Sequence, residues 1–302
     1  MSDAMLFGWQ SDPAGSREFV ASLPNPTFTQ AAPGLEASGQ DVFLGDYLLQ
    51  CMPSWTRLSQ PIGSCVGWGT ALSIDILASV EILKRGEPER FGGRTLEASV
   101  YGLSRTAARG VETNRGGDGS TGFHAAKAIR DFGCLHYGVD YDGKTYTAPS
   151  SGISERTFGR EGVPAQLMHF AKAHTCREVT LVQSWPEYAA AISNGYPVFI
   201  CSDRGFNMTM KEGWLSPSGS WSHCMMGAGV RMDKPGGFIE NSWGDCYKGT
   251  VDPRLPVQFQ RSGGWVDAQV LDKMLAQGDS YAIAGFNGFQ QTNMDSWTGG
   301  IL

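Results

Sequence analysis

The hydrophobic pattern changes character along the chain. From Cys65 to about Arg85, the residues Val66, Leu72, Ile76, Val80 and Leu83 recur at spacings of 3, 4 or 6, which keeps them near one face of a helix. Gly86 and Pro88 end that pattern. Leu96, Val100, Leu103 and Ala107 form a second stripe and predict a helix from Leu96 to Arg109, with Gly110 after it. A third helix is predicted from about Thr121 to Phe132, entered through Gly-Asp-Gly-Ser and closed by Gly133. Farther on, 164–173 and 185–193 read as short helices. Five segments rich in β-branched and aromatic residues between turn signals read as strands: 196–201, 222–230, 237–241, 264–267 and 280–284. A helical half followed by a strand-rich half predicts an α+β fold with a cleft at the junction. The helical half is expected over 55–160 and the strand-rich half, an antiparallel sheet or barrel, over 161–302.

Residues 1–54 read differently. They are rich in Pro, Ser, Ala and Gly, with short apolar islands such as Val42-Phe-Leu, and no long helical period. They predict an irregular arm lying over the body, or an inhibitory pro-segment. An arm that crosses the cleft would hold the chain latent.

Composition narrows the classes. With 302 residues, 41 % of them hydrophobic, the chain can bury a real core. The net charge is −6 and no basic run occurs, which argues against nucleic-acid binding. The apolar stretch 71–83 carries Asp75 and Glu81, and it is too short and too charged to predict a membrane span. The first twenty residues lack a basic region followed by an apolar core, so no secretory signal is expected. Seven cysteines occur without a paired CxxC, so neither a zinc site nor any other metal or cofactor is expected. A reduced compartment follows, with most cysteines acting as small buried hydrophobes.

Candidate chemistry begins at Gln60-Pro-Ile-Gly-Ser-Cys65. A cysteine at a helix start sits where unpaired N–H groups and the helix dipole favour a negative charge, and the thiolate is the reactive form. Alone, Cys65 is a nucleophile or an inert buried thiol. A nucleophile needs a base, an orienting group and oxyanion donors. Of the five histidines, His223 stands apart in a small-residue strand context, and Asn241-Ser-Trp-Gly follows 18 residues later. A strand, a turn and a second strand would set Asn241 beside His223, where its carbonyl can fix the imidazole.

In that order, Gln60…Gly63-Ser-Cys65, then His223, then Asn241-Ser-Trp-Gly, the chain resembles the papain-like cysteine peptidases over roughly residues 55–290. The resemblance implies that Cys65 attacks the carbonyl, His223 is its base and Asn241 orients that base. It gives Gln60 an oxyanion role and makes Trp243 the shield of the His–Asn hydrogen bond. Gly119 and Ser120, in Asp118-Gly-Ser120, stand where the family presents backbone groups to an extended substrate. Cys224 stands where the family lines the pocket for a substrate side chain. Gln60 precedes Cys65 by five positions, against six in the family, and Val66 replaces the usual aromatic.

A peptide or protein substrate follows from the resemblance, with hydrolysis of peptide bonds through an acyl-enzyme. A non-catalytic or latent subunit of a larger assembly such as a phage or virus particle, and a cell-wall peptide hydrolase with the same triad, are the alternatives. In the assembly reading, partners bind the N-terminal arm and the Gly299-Gly-Ile-Leu tail. The expected location is the cytoplasm or such a particle.

Overall fold

The computed structural model describes residues 5–87, 90–147, 153–285 and 288–299. Of the two segments named in the assembly reading, the first four residues of the arm and the last three of the Gly299-Gly-Ile-Leu tail lie outside the described residues.

The helices are α1 (Pro13–Ala21), α2 (Phe28–Ala31), α3 (Gly45–Cys51), α4 (Cys65–Lys84), α5 (Glu97–Arg105), α6 (Gly122–Asp131), α7 (Ile153–Glu161), α8 (Met168–Lys172), α9 (Trp185–Ser193) and α10 (Ala268–Leu275). The strands are β1 (Val42–Phe43), β2 (Asp140–Tyr141), β3 (Lys144–Thr145), β4 (Glu178–Leu181), β5 (Val198–Phe206), β6 (Thr209–Met210), β7 (Pro217–Arg231), β8 (Gly236–Glu240), β9 (Lys248–Gly249), β10 (Gly263–Asp267) and β11 (Tyr281–Ala284). The main sheet has the order β10-β8-β7-β5-β11-β4, with β1 also paired to β7. All its pairings are antiparallel. The chain is therefore α+β, with a helical region followed by a strand-rich sheet, as its hydrophobic periods predict.

Helix α4 is the axis of the molecule. It is buried almost all round because α5 and α6 cover one side and β7 the other. Two glycines permit that approach. A Cβ at Gly67 would lie 2.8 Å from the Tyr101 side chain, and one at Gly69 would lie 3.1 Å from Cys224 Sγ. Each glycine in a helix costs about 0.5–1 kcal/mol relative to alanine, and here the close packing offsets it. The helix has 20 residues, longer than the apolar stretch read from sequence, and by length and composition it could cross a bilayer. Its apolar window is 72 % buried within the protein, so core packing accounts for its composition. Its two acidic residues are structural: Asp75 accepts from the Thr95 amide at 2.8 Å and Glu81 from the Gly285 amide at 3.0 Å. A second, smaller core, including Leu96, Leu103, Ala128, Phe158 and Leu167, lies away from the sheet.

The arm is not irregular throughout. Asp12 caps α1 by accepting from Gly15 N at 2.9 Å, and Pro13 fills the first turn, where no N–H is needed. Helices α2 and α3 follow, and β1 pairs Val42 with Val230 of β7. Phe43, Leu44 and Leu48 are core residues, so this part of the arm is built into the body. Helix α7 also lies outside the helices read from sequence. Thr106 leaves helical geometry (φ −121°, ψ −85°), so the helix expected through Arg109 ends at Arg105 and resumes as a short 3-10 turn.

Candidate active site

Cys65 opens α4, and its side chain is fully buried. Burial, and then the neighbouring Cys224 thiol, hold the Cys65 thiol well above its ordinary value. The amides of Cys224, Gly8 and Val66 act the other way by donating toward its sulfur. His223 lies on β7, opposite Ser202 of β5. Met226 of β7 faces Glu240 of β8, so the chain leaving β8 runs back past His223. That return places Asn241 Oδ1 2.8 Å from His223 Nε2 and stacks the Trp243 ring on the imidazole, with centroids 4.4 Å apart.

The direction of the His–Asn hydrogen bond is fixed by its surroundings. Asn241 Oδ1 also accepts from the Ser242 amide at 2.7 Å, while Asn241 Nδ2 donates to the Tyr247 hydroxyl at 3.3 Å. The carbonyl end of Asn241 therefore faces His223, and Nε2 carries the imidazole proton. Nδ1 is left as an acceptor, buried and without a hydrogen-bond partner. Burial lowers the imidazole to about 4, against the Asn241 bond, which raises it. With the thiol pushed up and the imidazole pushed down, both groups are neutral at pH 7 in this conformation.

Gln60 reaches the site through backbone pairing. Ser59 bridges Trp243, and Gln60 N donates to Ser242 O at 2.8 Å. The Gln60 side chain accepts from Ser242 Oγ, while its Nε2 donates to Ile62 O at 2.8 Å and to Leu6 O at 3.0 Å. Leu6 belongs to the arm. Trp243 Nε1 donates to the same Leu6 carbonyl at 3.1 Å.

Residues 5–10 form a strap along the cleft. Gly8 N and Trp9 N donate to Ser222 O at 3.1 and 3.0 Å on the sheet side. On the helical side, Ser120 N donates to Gly8 O and Gln10 N to Ser120 O, both at 2.8 Å. The Phe7 ring meets those of His223 and Trp243 edge-on, at 6.2 and 5.6 Å. Gly8 packs against the turn that leads into α4: a Cβ there would fall 2.0 Å from Gly63 O.

Of the two residues expected to face a substrate, Ser120 is the one whose amide and carbonyl pair with the strap. Gly119 serves the loop, since its amide donates to the Tyr101 hydroxyl at 2.9 Å and its carbonyl accepts from Arg105 Nη1 at 2.6 Å. Its φ of +113° favours glycine, and a Cβ would lie 2.7 Å from Gly8 O. The Cys224 side chain packs against Gly69 of α4 and lines a small cavity with Trp55, Trp68 and Asn241. Among the described residues, no group of three or more His, Cys, Asp or Glu is placed to hold a metal ion.

Arg105 was not singled out from sequence. It is 2 % exposed and donates to the carbonyls of Gly117, Gly119, Gly116 and Gly159. A buried arginine bonded to three carbonyls of the 116–119 loop and one of α7 fixes that loop's shape, and α5 gives no sequence signal of it beyond an arginine in the last turn. Arg105→Met leaves those acceptors unpaired. We expect a loss on the order of 3 kcal/mol in urea-unfolding stability, with faster hydrogen exchange at the Gly119 and Ser120 amides. Unchanged exchange there would remove Arg105 from this role.

No family model matches the chain, and no curated protein matches it. Solved structures do. The cysteine protease xylellain from Xylella fastidiosa superposes with a TM-score of 0.54 at 14 % identity, over 95 % of this chain and 94 % of that one. Procathepsin B S9 from Trypanosoma congolense gives a TM-score of 0.52 at 12 % identity, over 93 % and 86 % of the two chains. With these likenesses spanning nearly the whole length, the chain has the two-lobed papain-like cysteine-peptidase fold.

Proposed function

We propose that the chain is a cysteine-type peptidase held latent by its own strap. The observation that carries this reading is the state of His223: Nε2 is committed to Asn241, and Nδ1 is a buried acceptor without a partner, on the strand whose next residue, Cys224, neighbours the Cys65 thiol. When the strap leaves, Nδ1 takes the Cys65 proton and the thiolate adds to a peptide carbonyl. The Gln60 amide, released from Leu6 O, and the Cys65 N–H donate to the developing oxyanion. As the tetrahedral adduct collapses, the imidazolium gives its proton to the leaving amine, and a thioester remains on Cys65. Water, deprotonated by His223, then releases the acid and restores the thiol. Asn241 keeps the imidazole in the working tautomer throughout, and Trp243 keeps water from their hydrogen bond.

The competing readings are a non-catalytic or phage-type structural subunit, and a hydrolase of cell-wall peptides with the same three residues. Iodoacetamide labelling followed by peptide mapping separates the first. A strap-opened chain should label at Cys65 fast and before the other six cysteines, whereas ordinary slow labelling there would favour the structural subunit. Zymography of the same protein on casein and on peptidoglycan assigns the substrate.

A further inference from the structure

Trp9 does more than the strap's backbone requires. It bridges Ser120, and its side chain turns inward to 6 % exposure. There Nε1 donates to Asp279 Oδ2 at 2.7 Å. Asp279 is 3 % exposed and lies just before β11. Its carboxylate also accepts from the first two amides of α6, Gly122 N on Oδ2 and Phe123 N on Oδ1, both at 2.7 Å. A Cβ at Gly122 would lie 2.8 Å from Asp279 Cγ, so the helix end closes directly on the carboxylate. A helix N-terminus favours an anion there, and burial sets the cost of leaving an acceptor without a donor. Trp9 supplies that donor while the strap is seated.

Resting on the peptidase reading above, we infer that the space filled by Trp9 is the cleft's main side-chain pocket, and that Asp279 makes it select peptides whose side chain there ends in an N–H donor. The strap's backbone is bonded to Ser120 on one wall and Ser222 on the other, so it lies where an extended substrate would lie. The shared chemistry is a long side chain with a terminal N–H, met by the indole of tryptophan and by the cation of arginine or lysine. Leucine or phenylalanine fills the same space but leaves Asp279 Oδ2 without the donor that Trp9 gives it. A site built around a hydrogen bond rejects the analogue that lacks it more strongly than an apolar pocket rejects a change of size.

The test uses the full chain carrying Gly8→Leu, which cannot seat its own strap, together with Cys65→Ala, which prevents turnover. Calorimetry then measures binding of the synthetic peptide Met-Leu-Phe-Gly-Xaa-Gln-Ser with Trp, Arg, Phe or Leu at Xaa. The Trp and Arg peptides should bind about tenfold to a hundredfold tighter than the Phe and Leu peptides. An advantage of Arg over Trp would assign the pocket to cationic side chains, and the reverse to indole. Asp279→Asn should erase the Arg advantage over Leu. Because the peptide series varies only the ligand, it stands even if that variant fails to fold. Equal affinity of all four peptides overturns the inference. The Gly8→Leu chain with Cys65 intact separates the two readings. Cleavage without donor preference removes the selectivity alone. Absence of cleavage, with donor-selective binding retained, removes the peptidase reading and leaves the pocket.

Discussion

Gly8→Leu should raise the rate of Cys65 alkylation by iodoacetamide about a hundredfold over the parent chain. The reason is local and steric. A Cβ at Gly8 would fall 2.0 Å from Gly63 O and 2.4 Å from Gly63 C. These are backbone atoms of the turn that leads into α4, so no side chain can swing aside to make room. The opposite wall is close as well, since a Cβ built on Gly119 would lie 2.7 Å from Gly8 O. A leucine at this place cannot be seated, and the strap must lift. What it gives up are the two bonds to Leu6 O, the pairing with Ser120 and Ser222, and the Trp9–Asp279 bond. Each hydrogen bond contributes about 1 kcal/mol net, and ordering the six strap residues costs about 1–2 kcal/mol each before the burial of Phe7 and Trp9 is counted. A hundredfold gain corresponds to a net closure of about 3 kcal/mol. The body should keep its thermal midpoint, because α1 starts from its own cap at Asp12 downstream of the strap. Phe7→Ala, which removes a half-exposed ring and no backbone bond, should give a smaller gain. A lifted strap, seen as new exchange at the Gly8 and Trp9 amides, with no faster alkylation would mean that something else buries the thiol.

The places of the candidate residues at the ends of elements were legible. Cys65 stands where an apolar helical period begins, and the structure starts α4 at that residue. The strand carrying His223 and the strand ending at Asn241 were bounded by glycines and turn residues, and antiparallel pairing then left little freedom in how they meet. Gln60 shows the limit of counting along the chain. Its place in the site comes from pairing of residues 59 and 60 with 242 and 243, a long-range contact that a spacing from Cys65 does not encode. The strap was invisible for the same reason: Phe7-Gly8-Trp9 has no period, and its meaning lies in atoms more than fifty residues away. Helices α1 to α3 are too short for periodicity to register, although Asp12-Pro13 carried a cap signal that could have been read. Asp279 lies just outside the strand expected over 280–284, and nothing in the local sequence marks it. Its role appears only when the N-terminus of α6 and the strap close on it.

In the opened Gly8→Leu chain, His223→Ala should cut peptide turnover by about 10²–10⁴-fold, the usual contribution of a positioned general base. The same substitution in the parent chain should change little, because the closed site is already silent. The imidazole itself offers a readout that a merely structural histidine would not move. In the closed chain burial holds His223 at about 4, so its ring stays neutral as the pH falls from 7 until it approaches that value. Lifting the strap returns water to the ring and to the sulfur together. Hydration relieves the penalty on both charged forms, and the proton can then pass from Cys65 to Nδ1 without net uptake. The His223 ring signal in an NMR titration should therefore move to a higher apparent pKa in Gly8→Leu, and Cys65→Ala should pull it part of the way back by removing the thiolate partner. Asn241→Ala should cost less than His223→Ala, since it frees the ring to rotate and to change tautomer without deleting the base, and the Ser242 amide also loses its acceptor. If the ring titrates alike with and without Cys65 in the opened chain, sulfur and imidazole are not coupled, and His223 is a buried strand residue beside an ordinary thiol.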